Sequence, residues 1–124
     1  MQKIAIVVLS DPKGGEEALG RVFNALAAAY DFKQKQQDVE LVFQGTGTRW
    51  AGVLTEPDHP ANALYEAVRD KVAGVSAACA TVFGARSEAE QNGFKLIANN
   101  AVPGTPGLTS LAQYAADGYT VLTF

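Results

Sequence analysis

Five short apolar runs punctuate the chain: KIAIVVL near the start, then DVELVFQ, VSAAC, FKLIANN, and YTVLTF at the end. Between them lie stretches whose apolar residues recur every three or four positions. This alternation constrains the fold most, because near-continuous apolar strands belong to a parallel sheet covered on both faces, and parallel neighbours need helical crossovers. The fold expected is α/β, a single three-layer α/β/α domain over residues 1–124 with a mostly parallel five-stranded sheet and right-handed connections. With 124 residues, 48% of them hydrophobic, the chain is near the commonest domain size and can bury a useful core.

The helical stretches are delimited by charge, proline and glycine. From Gly15 to about Lys33, the residues Leu19, Val22, Phe23, Leu26 and Tyr30 share one helix face, and Glu16 and Glu17 stand in the first turn where the dipole favours acid. GTGTRWAGVL permits a turn and a short helix ended at Pro57. Asp58 and Pro60 then open a second helix through Leu64, Val68 and Val72, stopped by Gly74. The last helix is expected within PGLTSLAQYAADG, from Pro106 to Gly118. Phe23, Tyr30, Phe43, Tyr65 and Phe83 fall on apolar faces and are assigned to the core. Trp50 follows a Gly-rich turn and is expected to cover a site edge or pack in a subunit contact.

Several function classes are excluded. A net charge of -3 gives no basic footprint for nucleic acid, and no Lys/Arg cluster flanks an apolar stripe as membrane attachment needs. The run Ile4 to Leu9 is too short for a signal-peptide core or a membrane span, so a cytoplasmic chain is expected. Cys79 is the only cysteine and His59 the only histidine. One thiol forms no internal disulfide and no multi-thiolate zinc site, and one histidine with scattered carboxylates makes a poor metal site. GTGTRW starts like a dinucleotide fingerprint, but Trp50 occupies the place of its last small residue and it follows the second strand rather than the first. SDPKGGEE lacks the Gly-Lys-Ser/Thr end of a P-loop. No cofactor is expected.

In open α/β sheets, ligands bind beyond the carboxyl ends of the strands. The residues leaving those ends are Ser10 and Asp11, Gly45 and Thr46, Cys79 with Ala80 and Thr81, and Asn99 with Asn100. Cys79 is therefore read as the end of the third strand, on the site edge. A sulfur carrier needs one thiolate that takes a sulfane sulfur and surrenders it to a second nucleophile; neither a resolving cysteine nor a metal is required. Two local geometries stay open. A helix starting at Thr81 aims its first N–H groups at the sulfur, whereas a helix capped by Ser87 and closed by Glu90 leaves ATVFGA as a loop. Cys79 also reads as a small buried hydrophobe, since free cysteines are often buried. A Cys79/His59 hydrolase is a third class, weakened because His59 sits in a proline-rich turn and reads as a surface residue.

DVELVFQGTGTRWAGVL, VSAACATVFGA and GLTSLAQYAADGYTVLTF resemble the DsrE/DsrF-like proteins, small α/β chains of sulfur-relay systems and their relatives. The resemblance runs over nearly the whole chain. It implies a persulfide carried on the cysteine after the third strand, here Cys79, exchange with sulfur donor or acceptor proteins, and assembly as a homotrimer or homohexamer. Ala-rich stretches such as NALAAAY and QYAA agree with a chain that is not a monomer. The expected site is Cys79 as sulfur carrier, with main-chain amides at Gly45, Thr46 and Thr81 stabilising the terminal anion. The alternative is a non-catalytic oligomeric protein that binds a small anionic ligand at the same edge, with Thr48 and Arg49 contributing.

Overall fold

The computed structural model describes residues 1–124. Five strands, β1 (Lys3–Val8), β2 (Asp38–Phe43), β3 (Val72–Ser76), β4 (Leu96–Ile97) and β5 (Thr120–Thr123), form one sheet in the order β4-β3-β2-β1-β5. All four pairings are parallel. The helices are α1 (Gly15–Gln34), α2 (Asn62–Val68), α3 (Ala77–Val82), α4 (Arg86–Gln91) and α5 (Leu111–Ala116), with a 3₁₀ segment over Gly45–Gly52. No helix is long and apolar enough to cross a membrane.

The topology distributes the helices. From β1 to β4 the chain steps one strand at a time in a single direction, so right-handed crossovers put α1, α2, α3 and α4 on one face. The return from β4 to β5 runs the other way and leaves α5 on the second face. Alternation along each strand sorts the side chains to match. Ile4, Ile6 and Val8 of β1 and Val39, Leu41 and Phe43 of β2 join α1 residues Val22, Ala25 and Leu26 in the main core cluster. Ala5, Val7 and Val42 are buried too but stand outside that cluster, as strand neighbours pointing the other way do.

The α/β reading and the parallel sheet hold, and the differences lie at element ends. The third strand stops at Ser76, so Cys79 is not its last residue but lies inside α3. Ala77, Ala78 and Ala80 explain this, because alanine is the strongest helix former and a short apolar run does not distinguish a strand from a buried helix. Neither expected start for the next helix is adopted: α3 begins at Ala77 rather than Thr81, and Ser87 lies within α4 after Ala85 at the cap position. The second helix begins at Asn62, since the His59 ring Nδ1 accepts from the Ala61 N–H and keeps 58–61 in turns; it ends before Val72, which opens β3. The last helix begins after Ser110, whose hydroxyl caps it by accepting from Gln113 N–H, rather than at Pro106. The fourth strand is only two residues long. Tyr30 is exposed, and Phe23 and Phe83 are only partly buried.

Candidate functional site

The carboxyl edge of the sheet is assembled around the 3₁₀ segment. Gly47 of that segment approaches β1 so closely that a side chain there would collide with the Val8 carbonyl. Gln44 N–H donates to the same carbonyl at 2.9 Å, and the Trp50 indole N–H donates to Ser10 C=O at 2.8 Å. Trp50 is thus a core residue, fully buried with its polar atom satisfied. It neither covers a site nor faces a subunit. His59 packs edge-on against it at 6.0 Å between ring centroids, and with its Nδ1 committed to Ala61 it serves the turn; it is half-buried rather than a surface residue.

Arg49 ties three segments of this edge together. Its Nη1 donates to Asp11 Oδ2 at 2.7 Å, and its Nε donates to the Phe83 carbonyl at 3.1 Å. The guanidinium also lies 5.7 Å from the Phe83 ring centroid. The other Asp11 oxygen accepts from Lys13 N–H at 2.9 Å. Arg49 therefore holds the exit of β1 and the turn after α3 against the 3₁₀ segment, a bridge that sequence reading missed. The available signal was a complementary pair, Asp11 and Arg49, on two strand exits that a parallel sheet brings side by side. Beside this bridge lies a cavity of about 370 Å³ lined by Lys13, Arg49, Val53, Phe83, Gly84 and Glu88, among others.

Cys79 lies in the first turns of α3, only 8% exposed, and outside the cluster of 22 residues that forms the main core. The chain around it changes abruptly from buried Ala80 to exposed Thr81 and to Val82, which is 71% exposed. The preceding Ser76 occupies the cap position but does not cap; its hydroxyl accepts from Thr109 N–H at 3.3 Å instead. Ala78 N–H donates to Gly107 C=O at 2.8 Å, so the start of α3 is fastened to the loop before α5. Gly45, with φ +60, and Thr46 open the 3₁₀ segment, which packs against α3. The Thr46 hydroxyl donates to Leu9 C=O at 3.3 Å, and that of Thr48 donates to Gly45 C=O at 2.9 Å. Asn99 and Asn100 engage the loop before α5: Asn99 Oδ1 accepts from Ser110 N–H, and Asn100 bridges to Leu108.

Comparison with known proteins agrees with this architecture. The uncharacterized protein MJ0733 of Methanocaldococcus jannaschii is 27% identical over 120 residues, which cover 97% of this chain and 93% of that protein. The crystal structure of the ychN protein from E. coli superposes with a TM-score of 0.61 at 22% identity, covering all of both chains. At that identity the likeness is one of fold. The sequence profile of the DsrE/DsrF-like family matches residues 2–124, and the chain belongs to that family.

Proposed function

We propose that this protein carries sulfane sulfur as a persulfide on Cys79. The observation that carries the reading is the placement of the only thiol, three residues after the end of β3 and outside the main core cluster, two residues before the exposed Thr81. Family membership supports the same chemistry. In the loading step the Cys79 thiolate attacks the outer sulfur of a donor persulfide, R–S–SH. The donor S–S bond breaks as the new Cys79 S–S bond forms, R–S⁻ leaves, and there is no net oxidation. An acceptor thiolate then takes the outer sulfur and regenerates the Cys79 thiolate. Main-chain amides around Gly45 and Thr46 are the groups proposed to stabilise the terminal sulfur anion; Thr81 is not among them, because α3 begins four residues earlier and the Thr81 N–H lies past the unpaired first turn.

We further propose that the chain works as a homotrimer or homohexamer. The apolar side chains Leu9, Val82 and Leu111 are exposed and available to subunit contacts. Light scattering tests this directly, and a mass of 13.0 kDa across a wide concentration range would overturn it.

The relay itself is tested by intact mass after exposure to polysulfide. The expected gain is about 32 Da per sulfur atom on the wild-type chain and none on Cys79→Ser. An unmodified wild-type chain, under conditions that load a persulfide carrier, would refute it. A second reading, binding of a small anion without transfer, is favoured by the cavity beside Lys13 and Arg49. It predicts thiosulfate binding that survives in Cys79→Ser and is lost in Lys13→Ala.

A further inference from the structure

The second face of the sheet carries a polar cavity of about 230 Å³ between β2 and the α5 region. Its lining includes Glu40, Asn99, Thr109, Tyr114, Asp117 and Tyr119. Glu40 is placed there by strand alternation: Val39 and Leu41 on either side of it point into the main core, so Glu40 projects to the opposite face. The sheet is parallel at this point, and Glu40 pairs across from Ala5, which offers it no partner.

Three observations give the cavity a chemical preference. Thr109 is only 2% exposed, lines the cavity, and its Oγ1 has no hydrogen-bond partner, although its backbone N–H is satisfied by Ser76. A buried hydroxyl left unpaired is costly, so this atom asks for a polar group in the cavity. Glu40 and Asp117 bring two carboxylates that take part in none of the six ion pairs of the chain; each has only neutral partners, Asp117 Oδ1 accepting from Gln113 Nε2 at 3.0 Å and Glu40 hydrogen-bonding the Tyr119 phenol. The only ammonium at the rim, that of Lys3, donates to the Asp117 main-chain carbonyl at 3.4 Å and lies 5.5 Å from the Tyr119 ring centroid. Finally, the Tyr114 and Tyr119 rings meet edge to face at 5.1 Å, giving the cavity an aromatic wall.

We propose that this cavity binds a small primary organic ammonium ion. An anion would be repelled by both carboxylates, and an apolar molecule would bury Glu40 and Thr109 without compensation. A hard metal ion is served poorly by aromatic walls and by so roomy a space. A primary ammonium meets every demand: its charge faces Glu40 and the aromatic rings, and its N–H groups donate to the carboxylate and to Thr109 Oγ1. Tyr114 contributes a neutral phenol, since burial, and then the Glu40 charge, push it up to about 12. This site lies on the opposite face from the helix-covered core and is independent of the Cys79 chemistry.

The experiment is a titration of the full chain, followed by NMR at fixed ionic strength, with propylammonium, tetramethylammonium and acetate as probes. Propylammonium is expected to give saturable shifts centred on Thr109, Tyr114 and Tyr119. Tetramethylammonium, which carries the charge but no N–H, should bind at least about threefold more weakly, and acetate should not bind. Glu40→Gln should weaken propylammonium by roughly tenfold or more, and Thr109→Val by about threefold to tenfold. Thr109→Val changes no charge and keeps the side-chain shape, so it tests the site even where Glu40→Gln fails to fold. Absence of saturation, or unchanged affinity in a folded variant, overturns the proposal. It is overturned equally if the cavity signals shift on dilution of the protein alone as the assembly dissociates, because a second copy then fills the space.

Discussion

Helix α1 runs for 20 residues and buries Ala18, Val22, Ala25, Leu26 and Ala29 against the sheet, whereas α5 runs for 6 and buries none. The first helix belongs to a face closed by apolar packing. The second belongs to a face where, beyond Ile97, only Gly107 and Thr109 are buried and where a cavity with two carboxylates remains. Stability and recognition are divided between the two faces. The close-packed layer is filled by apolar side chains, while the looser layer keeps Glu40, Asp117 and Thr109 within reach of a ligand.

Mutations in the two layers should have the most unequal effects. Phe43 is fully buried and meets the Phe94 ring edge-on at 6.0 Å. Phe43→Ala should cost about 3–5 kcal/mol in urea unfolding. Leu111→Ala on α5 should cost at most roughly 1 kcal/mol. Equal losses would show that the second face also carries the fold. The next effect comes from the bridge at the sheet edge. Arg49→Ala removes both the Asp11 and Phe83 contacts and should cost about 1–3 kcal/mol, with faster amide exchange around Phe83. Arg49→Lys should recover less than half, because a single ammonium does not reproduce the guanidinium fork. Full recovery would reduce the bridge to simple charge.

Two titrations sharpen the contrast further. The Tyr114 phenol, raised by burial and then by Glu40, should ionise near pH 12, giving a late ultraviolet step that Tyr114→Phe removes. The neutral phenol is the form the fold favours, so its contribution is intact below the ordinary tyrosine range and fades as pH rises through about 12. A Tyr114 step at the ordinary tyrosine value would mean a wetter cavity. On the other face, Asp70 accepts from Lys33 Nζ at 2.8 Å, and that hydrogen bond lowers its carboxyl. Its contribution is present above the ordinary aspartate range and lost as pH falls through the lowered value. Because the pair is exposed, Asp70→Asn should cost roughly a few tenths of a kcal/mol at neutral pH and nothing once the wild-type carboxyl is protonated. A difference that persists in acid would point to packing rather than charge.

The packed face was legible in the amino-acid order because periodicity reports burial: Val22 and Leu26 at helical spacing, and Ile4, Ile6 and Val8 in alternation, are its signature. Element ends were less legible. Cys79 was assigned to a strand because VSAAC is short and apolar throughout, a pattern that β3 and α3 share across their junction at Ser76. That Cys79 lies near the carboxyl end of the third strand was readable; that the strand stops at Ser76 and Cys79 belongs to a helical turn was not. Arg49 was read as a contributor to anion binding and not as a bridge, because its partners, Asp11 and Phe83, are distant in sequence and meet only through the sheet order. The cavity on the second face escaped notice for the same reason, since Glu40 and Thr109 come together only when β4 returns to β5 across the sheet.

That return has a consequence for how the chain is made. Strands β1 to β4 each meet a neighbour adjacent in sequence, so each partner is available as soon as its strand has been made. Strand β5 instead pairs with β1, Ile4 through Val7 lying against Thr120 through Thr123, across nearly the whole length of the chain. This is the contact with the greatest closure entropy and the last to become available. Until it forms, the outer edge of β1 presents unpaired backbone groups and the apolar Ala5 and Val7. On the ribosome, this open edge is the part of the nascent chain most exposed to pairing with the wrong strand.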